Sequence, residues 1–320
     1  MPLVAGGRDT SACYRRGVPQ SLSTAQSWLR RNGPGYLLIL PATLLLAAVI
    51  AYPLISLFRM SLHDIEPLRH PGETYCGIDN YVRLLSDPDL RSSLGQTAFW
   101  TFGSVASQFV IGLVAALVLN ESFRGRGLAR ALMLVPWAMP SVVGAFAWKW
   151  MYHAQYGLLN HLLKTLHLVP RNVNWLGSPA TAMVSVVITN SWRGFPFMML
   201  MLLAGIQNIP RELYDASAVD GASFWQQLRH VTLPLLRSVV FVITLLAAIW
   251  TFNNFTYIYI LTGGGPAGKT EILITYVYKN GFQFFHFGYA AALSVALFAI
   301  VVIMSAVYIR LMSGKGEKGV

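Results

Sequence analysis

The chain has 320 residues, 55% of them hydrophobic and only 12% charged, with a net charge of +11. A soluble domain of this length needs far more charge to cover its surface, so that class is excluded. Basic surplus can signal nucleic acid, but here its placement follows membrane topology, which excludes that partner.

Residues 1–35, with Gly, Ser and Arg, read as a disordered tail. The apolar run that follows is too long for a removable signal and lacks a small-residue cleavage site. Runs near 20 residues then recur, the length that crosses about 30 Å of hydrocarbon at about 1.5 Å per residue. They predict six spans, at about 36–58, 97–119, 131–151, 180–205, 238–261 and 288–311. With the N-terminus in the cytoplasm, fourteen of the 24 Lys and Arg fall on the cytoplasmic side and eight outside, with Lys149 and Arg193 inside spans. That excess sets both termini, and the tail 312–320, in the cytoplasm.

Span 1 carries Pro41 and Pro53, which membrane helices tolerate when neighbours satisfy the freed carbonyls. The outer loop from Arg59 to Gln96 is the longest outside segment and holds a short amphipathic helix over 80–85. Cys13 and Cys76 fall on opposite sides of the membrane and cannot pair. Span 3 contains Pro136, Pro140, Trp148 and Trp150; the two tryptophans read as an interfacial belt ahead of ligand contact. Lys149 snorkels from the outer end of this span. In the outer loop 152–179, His153, His161 and His167 have no nearby carboxylate and make no metal site. The run Thr262 to Pro266, with its three glycines, lacks a Gly-Lys-Ser/Thr ending and reads as a turn capping span 5, not a phosphate loop. The chain therefore has no nucleotide site of its own.

Side chains that are ionisable or carry amides inside spans default to functional hypotheses. Asn190, Trp192 and Arg193 lie near the middle of span 4, and Asn253, Asn254 and Tyr257 in span 5 at similar depth. Asn253 and Tyr257 are expected on one helix face at i, i+4. Amides donate and accept, and aromatic rings stack on apolar sugar faces, so the set suits a neutral polyhydroxyl ligand. The alternative is that these groups only bond helices to one another. Arg193 has no acidic partner within the spans and is read as structural or gating.

A polar insertion at 208–237 separates spans 4 and 5 on the cytoplasmic side. Residues 210–223 read as one helix with Glu212, Tyr214 and Asp215 near its start, where negative charge suits the helix dipole. Gly221 permits a turn or a close approach. The order Asp215-Ala216-Ser217, then Asp220-Gly221-Ala222, then Leu233-Pro234 resembles the EAA loop of ABC importer permeases. Flanking segments, Trp192–Pro196 with Gln207–Pro210 and Phe252–Phe255 with Ile258–Pro266, are similar to the maltose-type carbohydrate group of that family. The resemblance covers residues 36–311. Asp215 stands where the family has Glu, and Ser217 where it has Ala.

The resemblance implies an all-α, six-span permease of the type I importer fold, with no catalytic residues. It implies half of a translocation pathway for a sugar, completed by a second permease subunit. Two cytoplasmic ATPase subunits carry the ATP and Mg, so this chain binds no cofactor, and a binding protein outside delivers the solute. The setting is the plasma or inner membrane of a prokaryote, among its lipids. Within the same machine a glycerol-3-phosphate ester or related phosphodiester is the alternative substrate, with Arg193 and Lys149 facing an anion. An ion-coupled carrier is the alternative of another class, and would want carboxylates inside the spans or an inverted repeat.

Overall fold

The computed structural model describes residues 35–313, so nearly all of both expected tails lies outside the described residues. It divides into two units, Met1–Ser56 and Leu57–Val320. The described part of the first is the body of helix α1 (Gly35–Ser61), which runs on to Ser61. A π-turn at Ala47–Ala51 precedes Pro53, whose missing N–H breaks the regular ladder there.

In the second unit a short antiparallel pair, β1 (His63–Asp64) and β2 (Thr74–Tyr75), sets His63 opposite Tyr75. The amphipathic helix α2 (Asp79–Ser86) closes over it. Asn80 Nδ2 donates to the carbonyls of Ser61 and His63 at 3.0 and 3.1 Å, tying α2 to the pair. Cys76 is free, and Cys13 is outside the described residues.

Helix α3 (Pro88–Asn120) begins earlier than the span expected from 97. The reason is its cap: Asp87 accepts from the N–H groups of Asp89 and Leu90 at 2.9 and 3.2 Å, and Pro88 occupies the first turn. At about 1.5 Å per residue its 33 residues overreach the hydrocarbon by more than half. It packs along α7 (Ala182–Gln207), which matches the expected fourth span. Ala116 and Leu119 of α3 and Met198 and Leu202 of α7 lie buried in one core cluster, which Leu236 and Ile243 from the later segment 236–243 also enter.

The expected third span is not one helix. It consists of α4 (Arg126–Ala138) and α5 (Ser141–Met151), bent by 95°. Met139 precedes Pro140 and takes the extended backbone that prolines impose on the residue before them, ending α4. Helix α6 (Leu158–Thr165), not anticipated, lies in the loop before α7.

The insertion forms α8 (Arg211–Val219) and α9 (Phe224–Leu235), so the single helix expected over 210–223 ends early. Helix α10 (Arg237–Phe252) leaves α9 at 72°. The expected continuous fifth span stops there: Asn253 closes α10 and Asn254 caps α11 (Phe255–Leu261), its side chain accepting from the Tyr257 N–H. The glycine turn then caps α11, with the Gly263 N–H donating to the carbonyls of Ile258 and Tyr259 at 2.9 and 3.1 Å. Helix α12 (Leu273–Tyr278) continues as a π-turn (Lys279–Gln283), and α13 (Phe287–Ser313) completes the described chain. Among the described residues, α1, α3, α7 and α13 are each long and apolar enough to cross a membrane. The bent pairs α4/α5 and α9/α10 raise the number to as many as six.

Candidate functional site

The breaks in the chain matter because they expose backbone and amide groups at span depth. A cavity of about 120 Å³ lies between α3, α4, α7 and α10, with Asn254 in its lining. Asn190 is its centre. Asn254 Nδ2 donates to Asn190 Oδ1 at 3.3 Å, and Gln108 Nε2 donates to the Asn190 carbonyl at 3.2 Å. Asn190 Nδ2 and Arg193 Nε are buried donors without a partner. Trp137, Phe197 and Trp250 supply the aromatic wall, and no carboxylate lines the space. Unsatisfied buried donors are costly, so this cavity suits a ligand rich in acceptor oxygens, with rings to cover its apolar faces.

Of the residues expected at a substrate path, Asn190, Arg193 and Asn254 come together here; Trp192, Asn253 and Tyr257 do not line the cavity. Trp192 meets Trp148 edge-on, with ring centroids 5.6 Å apart. Tyr257 is fully buried in a cluster with Trp100 and Ile272. Asn253 is exposed, and its Nδ2 donates to the Ile249 carbonyl at 2.9 Å, closing α10. The helix break puts Asn253 and Tyr257 on different helices, which overturns their expected shared face. Lys149 is likewise more than a snorkelling charge: its Nζ donates to the Ile260 carbonyl at 2.7 Å, capping α11 from α5. Trp148 packs on Tyr152 and Trp192, whereas Trp150 is exposed as a belt residue would be.

Sequence reasoning missed Gln108, Trp137, Gly194, Phe197, Trp250 and Thr251. Gln108 had a signal, since an amide in a long apolar helix is itself a functional pointer. Gly194 also carries one once its neighbour is known. A Cβ there would fall well inside contact distance of the Gln108 amide, so glycine is what lets Gln108 reach across. The aromatic residues looked like ordinary span composition.

The second site is the α8–α9 segment. The Gly221 N–H donates to Ala218 and the Ala222 N–H to Ser217, at 3.0 and 2.9 Å, a Schellman closure of α8. It requires the left-handed φ of +75° that Gly221 adopts. Ser223 and Gln226 form a capping box that restarts the helix. Ser217 donates to the Tyr214 carbonyl at 2.8 Å and accepts from Gln227 Nε2 at 3.0 Å, locking α9 onto α8. Tyr214 in turn meets the Thr232 hydroxyl at 3.0 Å. Glu212, Asp215, Ala216, Asp220 and Pro234 are exposed, while Ala222 and Leu233 are half-buried. Val219 and Trp225, 88% and 74% exposed, add apolar surface to this polar segment.

Among the described residues no cluster of three or more His, Cys, Asp or Glu could hold a metal ion. The described chain thus has several helices long and apolar enough to cross a membrane, a polar cavity at their breaks and a self-capped helical pair between them. Residues 108–313 match the family described as the binding-protein-dependent transport system inner membrane component. The chain belongs to that family. It is 39% identical, over 86% of this chain and 92% of the relative, to the trehalose/maltose transport system permease protein MalF of Thermococcus litoralis. It is 34% identical, over 89% of this chain and 90% of the relative, to the trehalose transport system permease protein SugA of Mycobacterium tuberculosis. A subunit of a bacterial ABC transporter involved in import of the acidic polysaccharide alginate shares the fold. Its TM-score is 0.75 at 21% identity, covering 91% of this chain and 98% of that one.

Proposed function

We propose that the chain is a sugar-importing permease subunit in a prokaryotic plasma or inner membrane, with six spans and both termini in the cytoplasm. The observation that carries the substrate class is its 39% identity, along most of both chains, to a trehalose/maltose permease. The chemistry of the cavity agrees, because neutral amides and aromatic walls bind polyhydroxyl ligands with many hydrogen bonds and little charge. Asn190, Arg193 and Asn254 contact the sugar in transit, and Trp192, Asn253 and Tyr257 frame the helices around them.

A second permease subunit completes the pathway, and an external binding protein delivers the solute. Two ATPase subunits, which hold the ATP and Mg, each receive a helical pair of the α8–α9 kind. On this reading Glu212, Tyr214, Asp215, Ala216, Ser217, Asp220, Gly221, Ala222, Leu233 and Pro234 transmit force and do no chemistry. The relatives named above give the phosphate-ester alternative no support. An ion-coupled carrier fits poorly, since Asp89, in the first turn of α3, is the single carboxylate in the span helices among the described residues.

Affinity purification from native membranes in mild detergent, followed by mass spectrometry, tests the assembly. Recovery of an ATPase and a second permease is expected, with the ATPase lost from Gly221→Asp. Recovery of this chain alone, in a detergent that preserves known complexes, would revive the autonomous carrier.

A further inference from the structure

The segment between α5 and α7, residues 152–181, holds no Asp or Glu, yet carries Lys164, Arg171 and three histidines. It is tied closely to the ends of both helices. The Tyr152 hydroxyl donates to the Ser185 carbonyl of α7 at 2.8 Å. A Cβ at Gly157 would fall 2.5 Å from the carbonyl of Met151, which ends α5, so glycine is what lets α6 start against that helix. On the way back, the Thr181 hydroxyl donates to the Asn174 and Trp175 carbonyls at 3.0 and 2.9 Å. Asn160, only 1% exposed, joins the two halves. Its amide donates to the Ala154 and Val173 carbonyls, and its oxygen accepts from the Val173 N–H and the Trp175 indole, all at 2.9–3.1 Å. Every hydrogen-bonding position of this side chain is used, so the segment is a stiff platform at the level where α5 and α7 end.

The platform presents two features side by side. Leu158, Leu162 and Leu166 follow four apart along one edge of α6 and are all exposed, Leu166 by 64%, and Leu168 just beyond the helix by 66%. On the neighbouring face of α6 opens a polar pocket of about 450 Å³, lined among others by Gln155, Tyr156, His161, Lys164 and Asn172. No carboxylate lines it, and Lys164 makes no ion pair among the described residues. A leucine edge beside a basic polar face is the pattern of a helix lying in a membrane surface, its apolar side in the acyl boundary and its basic side among anionic headgroups. Trp150, exposed one residue before the end of α5, marks the same level, where indoles gather. A visiting protein does not account for the edge. An external binding protein arrives and leaves, and between visits leucines this close to the hydrocarbon meet lipid.

We propose that α6 is a foot on the outer face of the membrane, and that its pocket binds the phosphodiester headgroup of an anionic phospholipid whose acyl chains run along Leu158, Leu162 and Leu166. Lys164 supplies the opposite charge. The amides of Gln155 and Asn172, the His161 ring and the Tyr156 hydroxyl supply donors for the phosphate oxygens and partners for the headgroup hydroxyls. This inference rests on the membrane-spanning reading above and is independent of which solute is carried.

The test is photocrosslinking in the complete complex, binding protein included, held in nanodiscs of equal parts phosphatidylglycerol and phosphatidylcholine. The photoreactive residue p-benzoylphenylalanine is placed at Leu166, and its adducts are identified by mass spectrometry. Lipid adducts are expected, with phosphatidylglycerol favoured about fivefold, the ratio that one cation near the surface supplies. Lys164→Gln should bring that ratio close to one, and Lys164→Arg should keep it. Val302, exposed on α13, carries the same probe as a reference away from the pocket and should take both lipids equally. Equal adducts of the two lipids at Leu166 overturn the headgroup site, and so does a preference unchanged by Lys164→Gln. Adducts to the binding protein make α6 its docking surface and overturn the proposal. The absence of any adduct at Leu166 while Val302 is labelled leaves the helix in water and overturns it as well. No lipid adduct at either position overturns the membrane-spanning reading itself, a failure distinct from the others.

Discussion

The α8–α9 segment and the cavity at Asn190 are built on opposite plans. The segment is local: its caps, turn and helix-to-helix bonds join residues within about twenty positions, as Tyr214 to Thr232 and Ser217 to Gln227 show. The cavity is assembled from afar, with Gln108, Asn190 and Asn254 drawn from three helices. A local device keeps its shape while its exposed face meets something else. A site shared among helices changes shape when they move. On the function proposed above, the pairing suits a transporter, in which a stiff handle on one side would reshape a soft pocket within the membrane.

The largest effect is expected from Gly221→Asp. A side chain at Gly221 meets nothing of this chain within 4 Å, so steric damage within the subunit is not expected. The left-handed φ costs about 1–2 kcal/mol for ordinary residues, and less for Asp or Asn. The variant should insert and retain the second permease, yet lose transport. Gly221→Asn, which tolerates the backbone even better, should lose it too. Uptake by either variant at the wild-type rate would mean that α8–α9 is a self-contained loop with no partner.

Gly194→Ala probes the distributed site. The methyl group would displace the Gln108 amide, but that amide is the end of a flexible side chain and can swing aside. The melting temperature should therefore move little, by about 1 kcal/mol equivalent or less, while uptake falls about fivefold as the cavity wall is remade. Combined with Gln108→Ala, the effect should be no larger than that of either change alone. Full additivity would show that the glycine serves something other than Gln108.

These contrasts explain what was legible in the sequence. The α8–α9 segment stood out in the sequence because a helix-ending glycine, a Leu-Pro and a run of small residues are contiguous signals. Even so, its single expected helix was too long: the left-handed Gly221 that was noticed is what ends it. Spans α1, α7 and α13 follow from hydropathy. The breaks were missed because Pro140 and the Asn253–Asn254 pair sit inside otherwise apolar runs, where a hydropathy window averages them away. Proline and asparagine carry local information there, in the residue before the first and the cap made by the second. Gln108 went unseen for a different reason: its partner lies 82 residues away, and only packing reveals it.

Asp87 gives a comparison at the far end of the spans. Burial pushes its carboxyl up, but bonds from the Tyr276 and Tyr289 hydroxyls and the N–H groups of Leu90 and Asp89 outweigh that and hold it below the ordinary carboxylate value. A depressed pKa in the folded state stabilises above the unfolded value, and that stabilisation is lost as pH falls through the folded one. Asp87→Asn should therefore cost about 1 kcal/mol at neutral pH, allowing for partial exposure. The gap to wild type should close as pH drops below about 4. Melting curves between pH 7 and 3 read this directly, and a gap independent of pH would assign Asp87 a purely steric role.

The smallest effect expected is Ser217→Ala, which restores the family's usual residue. The hydroxyl accepts from Gln227 and donates to Tyr214, but neither bond is deeply buried, and water can replace both. Removing them should cost about 0.5–1.5 kcal/mol of local stability. If α8 and α9 act as one handle, hydrogen exchange of the α9 amides should quicken while uptake stays within about twofold, because the Tyr214–Thr232 contact still joins the helices. A large loss of uptake would instead make the Ser217–Gln227 bond the joint that transmits force. The substitution of Ser for Ala would then be a change in how this subunit is coupled, and Gln227→Leu should reproduce the defect with Ser217 left in place.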